Sequence, residues 1–458
     1  MNIDMDFSHN VDQQNSEAEV TDKHSAAAPY LHTQIITTRE KFDELEDEWE
    51  ALVEKAGGSV FQSFYWLNAW WKHYGSDREL HIILFKDNDK LVGIAPFYYD
   101  VSGIFGVEIA RFLRFIGSTV PEGNTQGAFI NYSVSDYLDV IVDPEYEQHV
   151  VDCLLAELEQ IENNYSKVIL QETTPASWIR RNLLTSLENT HWRYTLHECN
   201  KCPVLYIDEE NREENLQAFI NSSKSRRKLH RMMKAESNFK VRILDNQAEI
   251  DNLFPRFVEL YQSRWNAMGY PGTFNDPRHF DFMQEVIRNL FFNERLWIVV
   301  VENIAGDVIA FDINLLQGNR VYIYLGSFDH TSKYSKFSPG NACQLYGIIQ
   351  AYESGIRELH FLRGDEEYKY HLANGEIDNL QVAIDSPRHI SPPTKMILRC
   401  NESWQNLKHL IQRELIVMSS NRKQFGNRSF AHIYLKNLSY RLRQKRLAKK
   451  HSSGQAQA

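Results

Sequence analysis

Long apolar runs are missing from this sequence. No window of its 458 residues approaches the roughly 20 apolar residues needed to cross a bilayer. Cysteine is scarce as well. Cys153, Cys199, Cys202, Cys343 and Cys400 are the five present, and an odd count in a long chain makes a poor disulfide framework. Cys199 and Cys202 have CxxC spacing, but no second CxxC and no nearby His-x-x-x-His accompany them, which argues against zinc. The pair reads as two small residues at a strand edge in a reducing cytoplasm. His, Asp and Glu are scattered without metal spacing, so no metal site is expected. No P-loop, dinucleotide fingerprint or GxSxG is found. An excess of positive charge is also absent: the formal net charge is -11. That excludes a protein built mainly to coat nucleic acid, though not a local basic patch. The N-terminus lacks the basic start and apolar core of a signal peptide. Its Ser, Gln, Glu, Asp and Ala content reads as a disordered lead-in over residues 1–32. A cytoplasmic protein without a transmembrane segment is the expectation.

What is present is ordinary globular composition, 43% hydrophobic and 24% charged, and enough chain for two or three domains. The best-punctuated region runs from Leu296 to Ile384. "LWIVVVE", the turn "NIAGD" and "VIAFDINLL" read as a hairpin. "RVYIYLGS" follows, with Val321, Ile323 and Leu325 on one face and Tyr322 and Tyr324 on the other. Next comes a helix. Ser338 suits the N-cap and Pro339 the first turn. Ala342, Leu345, Ile349 and Tyr352 recur at helical spacing, and Gly355 suits the C-terminal cap. The strand Glu358 to Leu362, a charged burst and "LQVAI" complete the unit. A strand–helix–strand link of this kind implies a parallel crossover.

The first half repeats the order. "LHIILF", "KDNDK" and "LVGIAPFYY" make a hairpin, and "RFLRFIGS" and "DYLDVIV" supply strands. A helix from about Glu145 to Glu162, "KVILQE", and a helix from about Pro175 to Glu188 follow. Beyond residue 390, a Pro-rich hinge leads into a helix-like, basic extension over 391–458.

With "KFSPGNACQL" and "LHFLRGDEEYKY", this unit order resembles the GNAT-fold acyltransferases. "FQSFYWLNAWWKHYG", "LVGIAPFYY", "LRFIGS", "DYLDVIV" and "YQSRWNAMGYPGTF" narrow the resemblance. They are similar to the tandem branch described as BioF2-like or CelD-like, of cellulose and exopolysaccharide biosynthesis. The resemblance spans roughly residues 58 to 385, and Fem-type aminoacyltransferases share the architecture. It implies an α+β fold: a tandem GNAT with two mixed sheets flanked by helices, one domain over 33–200 and the other over 201–390. It also implies acetyl- or acyl-coenzyme A as co-substrate and a sugar-like amine or hydroxyl as acceptor. A polysaccharide synthase complex is the implied partner, and DNA is not. One departure is plain. The family's Gly-rich turn between the third strand and the helix is reduced here to Gly340, as in the branch itself.

Candidate residues follow from these placements. A helix N-terminus directly after a strand suits a pyrophosphate, because its N–H groups are unpaired and its dipole is positive. That singles out Ser338, Pro339, Gly340 and Asn341, with charge added by Lys336 and Lys333. In the resembling fold, the strand after the helix splays from its neighbour, and donor and acceptor meet in the gap. Acyl transfer needs a base for the acceptor's proton and an acid for the departing thiolate. Asp365, Glu366 and Glu367 are candidate bases and Tyr368 a candidate acid. Gly364 permits a tight turn, while Arg363 and Lys369 could hold an anion. Arg264 could reach a carboxylate or phosphate as a fork, with Trp265 beside it. The basic run "KSRRKLHRMMK" reads as an amphipathic helix with Leu229, Met232 and Met233 on its apolar stripe. Its polar side is a solvated face or the seat of an anionic partner: coenzyme phosphate, a nucleotide-linked sugar or, in the Fem-type alternative, charged tRNA. The first half offers no acid–base set and is expected to recognise acceptor or to stabilise the pair. A non-catalytic scaffold is the third alternative.

Overall fold

The computed structural model describes residues 31–104, 107–118, 134–188, 190–236, 238–267, 272–364 and 366–386. The expected lead-in and basic extension lie outside these, except that Leu31 already opens the first strand. Asp365, Met268–Pro271 and most of the loop containing "PEGNTQG" also fall outside.

Among the described residues, thirteen strands form one mixed sheet, not two. They are β1 (Leu31–Ile36), β2 (Glu79–Asp87), β3 (Lys90–Ile104), β4 (Val107–Phe115), β5 (Ile141–Val142), β6 (Lys167–Thr173) and β7 (Tyr194–Tyr206). The rest are β8 (Phe239–Ile243), β9 (Leu296–Asn303), β10 (Val308–Gln317), β11 (Arg320–Phe328), β12 (Glu358–His360) and β13 (Gly375–Asp385). The spatial order is β1-β2-β3-β4-β6-β13-β7-β12-β11-β10-β9-β8, with β5 paired to β3. The expected two sheets merge because β13, the last strand, lies between β6 and β7. It pairs antiparallel with β6 from Leu380↔Thr173 to Asp385↔Lys167. It pairs antiparallel with β7 from Gly375↔Val204 to Ile384↔Tyr194. A strand edge left open would be a liability, and this insertion closes one in each half. The boundary expected at residue 200 falls inside β7.

Both halves contain a parallel pair bridged by a helix. In the first, β4 meets β6 over Phe112–Arg114 and Lys167–Ile169, with the helix Glu147–Gln160 between them in sequence. In the second, β11 meets β12 over Arg320–Tyr322 and Glu358–His360, with the helix Pro339–Glu353 between them. Each contact is only three residue pairs long.

Two local expectations change. "DYLDVIV" is strand only at Ile141–Val142. Tyr137 adopts φ +50°, and the Asp139 carboxylate accepts backbone N–H groups of Trp178 and Ile179, so side-chain bonds replace the ladder there. In β11 the regular alternation is broken by a bulge at Tyr324, between the pairs Ile313↔Leu325 and Asn314↔Ile323. Leu325 therefore packs with Tyr322 in one core, while Val321 and Ile323 pack in the other.

Among the described residues the predicted helices form, except that the one expected over about Pro175 to Glu188 is a π-helical turn, Ile179–Leu183, followed by the short helix Leu184–Leu187. Lys224–Ala235 buries Leu229 and half-buries Met232 and Met233 against the second core. Phe64–Tyr74 packs across Pro277–Phe292, where Trp66 meets Phe282 edge-on with centroids 5.2 Å apart. Among the described residues no helix is long and apolar enough to cross a membrane.

Candidate active site

β11 continues six residues past its last pairing with β12, to Phe328, while β12 stops at His360. The two chains separate there. The space between them is a cavity of about 400 Å³, lined by Asp312 of β10, Ile323–Phe328 of β11, Gly340 and Asn341 of the crossover helix, and Phe361–Arg363.

The chain leaving β12 makes this opening through local strain. Leu362 sits at φ +55° although buried, and Gly364 at φ +124°. A Cβ on Gly364 would lie 2.1 Å from Glu366 Oε2 and 2.8 Å from Lys369 Nζ, so only glycine fits the turn. The charges around it are largely matched. Arg363 turns inward, pairing with Asp136 at 2.8 Å and Glu172 at 3.0 Å, and donates to the Ser135 carbonyl at 3.1 Å. Asn379 donates to the other Glu172 oxygen at 2.9 Å. Lys369, 7% exposed, donates to the Arg363 carbonyl at 2.6 Å and pairs with Glu366 at 3.0 Å. Losing one partner of a buried pair of this kind costs about 3–5 kcal/mol. Arg363 and Lys369, expected to hold an anionic ligand, are thus engaged in holding the loop and in tying it to the first half.

The proposed acids and bases separate. Glu366 lines the cavity but is paired with Lys369. Glu367 points to solvent, its side chain 91% exposed, 3.7 Å from His371. Tyr368 stands in the cavity wall, and desolvation, helped by the charges of Glu366 and Asp312, pushes its phenol up to about 12. It is a proton donor at neutral pH. Arg264, near the end of the helix Gln247–Ala267, lines the cavity and has no ion-pair partner among the described residues. Trp265 belongs to the core, its ring 6.0 Å from Tyr261.

The start of the helix Pro339–Glu353 is shaped as expected in part. Ser338 occupies the cap position at φ +56°, but its side chain caps nothing. The first N–H groups are therefore left to whatever lies in front of them. Gly340 lets the Phe328 ring pack against the helix start, where a Cβ would meet it at 3.0 Å. A second cavity, about 620 Å³, lies between this helix start and the basic helix Lys224–Ala235. Ser223, Lys228 and Met232 form one side, and Lys336, Ser338 and Asn341 the other. Asn341, Gln344 and Tyr368 line both cavities.

Two features escaped the sequence reading. The first is Asp312, 4% exposed, whose Oδ2 has no hydrogen-bond partner among the described residues. Burial raises its carboxyl well above the usual range. The signal was a lone acid in "VIAFDINLL", every residue of which is buried. The second is the wall donated by the first half through Asp136. Nothing near Asp136 in sequence points to Arg363.

Comparisons with known proteins bear on the family and the fold. Residues 221–370, about a third of the chain, match the family described as Acetyltransferase (GNAT) domain. No curated protein matches the chain by sequence. The fold is similar to that of FemX, at 12% identity and a TM-score of 0.50, over 76% of this chain and 96% of FemX. It is also similar to a tandem GNAT protein from the clavulanic acid biosynthesis pathway, at 9% identity and 0.41, over 79% of this chain and all (100%) of that one. The C-terminal domain of a putative lysylphosphatidylglycerol synthetase from Agrobacterium fabrum is similar at 10% identity and 0.43, covering 79% and 96%.

Proposed function

We propose that this chain transfers an acyl group, acetyl in the simplest case, from acyl-coenzyme A to an amine or hydroxyl. The observation that carries this reading is the meeting of two cavities at Tyr368 and Asn341, beside an uncapped helix start within the matched acetyltransferase domain. Phosphates of the donor would lie against the N–H groups of Gly340 and Asn341, with Ser338 and Pro339 shaping the turn and Lys336 and Lys228 supplying charge. The thioester end would point into the gap between β11 and β12. Tyr368, kept protonated, gives its proton to the departing thiolate. Arg264 holds an anionic or polar group of the acceptor. The resemblance of the motifs to the CelD-like branch supports a sugar or polysaccharide precursor as acceptor.

The test is thermal unfolding with and without acetyl-coenzyme A. A ligand at 100 times its Kd stabilises the native state by about 2.7 kcal/mol, so the transition must move upward. No shift at millimolar concentration contradicts the reading. The exposed Lys224, Lys228, Arg231 and Lys234 favour one second reading, a charged tRNA as donor. Retention of tRNA that collapses with added salt, together with no response to acetyl-coenzyme A, would select it.

A further inference from the structure

Acyl transfer needs a group to take the acceptor's proton, and the acids of the loop are poorly placed for it. Glu366 is neutralised by Lys369, and Glu367 stands in solvent. On the opposite wall, Asp312 projects from β10 toward Gly326, its partner across the strand pair. A Cβ at position 326 would lie 1.9 Å from Asp312 Oδ1, so the carboxyl occupies the space that a side chain there would fill. Two residues on, the bulge at Tyr324 bends β11 beside it. A buried carboxyl with an orphan oxygen costs stability, and such groups concentrate at functional sites.

We infer that Asp312 is the proton acceptor of the transfer. This rests on the acyl-transfer reading of the cavity. The neutral acceptor amine or hydroxyl attacks the thioester carbonyl carbon. As the new C–N or C–O bond forms, its proton passes to the Asp312 carboxylate. The C–S bond breaks, and the thiolate takes the phenolic proton of Tyr368. The proton on Asp312 then returns to the Tyr368 oxygen, directly or through water in the cavity. Both groups line the same cavity.

Several groups share this cavity with Asp312. Arg264 comes from the helix before β9, His330 from the segment after β11, and Asp136 from the first half. Arg363, Glu366, Tyr368 and Lys369 come from the loop. The buried thiol of Cys343 on the crossover helix also feels its charge. Arg363 and Lys369 are held in their own pairs, and among the described residues Asp312 has no ion-pair partner. Burial therefore raises its carboxyl above the usual carboxylate range, and the ionised form is the competent one. The rate must rise with pH, with its midpoint above the usual carboxylate range.

The experiment measures thiol release from acetyl-coenzyme A with glucosamine, lysine or hydroxylamine as acceptor probe, across pH. It compares wild type, Asp312→Asn and Gly326→Ala. Asp312→Asn is expected to lower kcat by about 10² to 10⁴ and to abolish the rising limb, while the thermal shift with acetyl-coenzyme A persists. Gly326→Ala, which displaces the carboxyl without removing it, should lower kcat and keep the limb. Infrared difference spectra of wild type against Asp312→Asn should show a protonated carboxyl band at neutral pH. An unchanged pH profile in Asp312→Asn, or a carboxyl ionised in the ordinary range, overturns the inference. If wild type neither binds acetyl-coenzyme A nor releases thiol, it is the acyl-transfer reading that fails.

Discussion

The two halves share a plan and differ in what fills one space. Each has a parallel strand pair only three residues long, bridged by a helix. In the second half, the space past that pair is the cavity. In the first half, the chain leaving β4 returns as Val134–Leu138, every residue buried. There Leu138 N–H bonds the Glu172 carbonyl near the end of β6, and Ser135 Oγ accepts from Trp66 Nε1 at 2.8 Å. The lesson is that a splayed strand pair is only an opportunity. Here one half fills it with its own chain, and Asp136 from that filling supports the loop that borders the other half's opening.

Breaking the link between the halves should have the largest effect. Arg363→Ala leaves Asp136 and Glu172 buried without their partner and should cost about 3–5 kcal/mol in denaturant unfolding, with loss of turnover. Leu138→Ala, in the filled half, should cost about 2–5 kcal/mol. It should leave kcat unchanged at temperatures where the protein stays folded. That contrast separates filling from function.

Tyr368→Phe should lower kcat by about a hundredfold, equivalent to about 2.7 kcal/mol, with little change in acetyl-coenzyme A affinity. Asn341→Asp keeps the helix start favourable for folding but sets a negative charge against a phosphate. It should weaken acetyl-coenzyme A by about tenfold, about 1.4 kcal/mol, by calorimetry.

The smallest effect concerns pH. Burial holds Asp139 up to about 7 from its ordinary 3.8, and raises Asp312 well above the same value. The folded state keeps protons that the unfolded state releases, so stability from these groups is full at low pH and is lost as pH rises. For Asp139 the window runs from about 4 to about 7. Asp312→Asn should therefore be more stable than wild type at alkaline pH, a modest gain in melting temperature that shrinks on acidification.

Much of the fold was legible because its signals are local. Of the stripe Ala342, Leu345, Ile349 and Tyr352, all but the half-buried Ile349 are buried along the crossover helix, and Gly355 ends it at φ +75°. The basic helix around Leu229 formed where the periodicity put it. The joining of the sheets was not legible, because the pattern of β13 marks a strand without naming its neighbours. The role of Arg363 was hidden for the same reason: Asp136 and Glu172 are distant in sequence, so a residue matched inside the fold read as one free to hold an anion. Asp312 was masked by the apolar residues around it, where strand periodicity speaks of burial and says nothing of what the buried acid does.

The central claim is that one opening, in the second half alone, takes the donor. Calorimetric titration of acetyl-coenzyme A into wild type and Asn341→Asp tests it directly. The account predicts a single site per chain, weakened by that substitution. Two sites, or one site indifferent to Asn341, would contradict it.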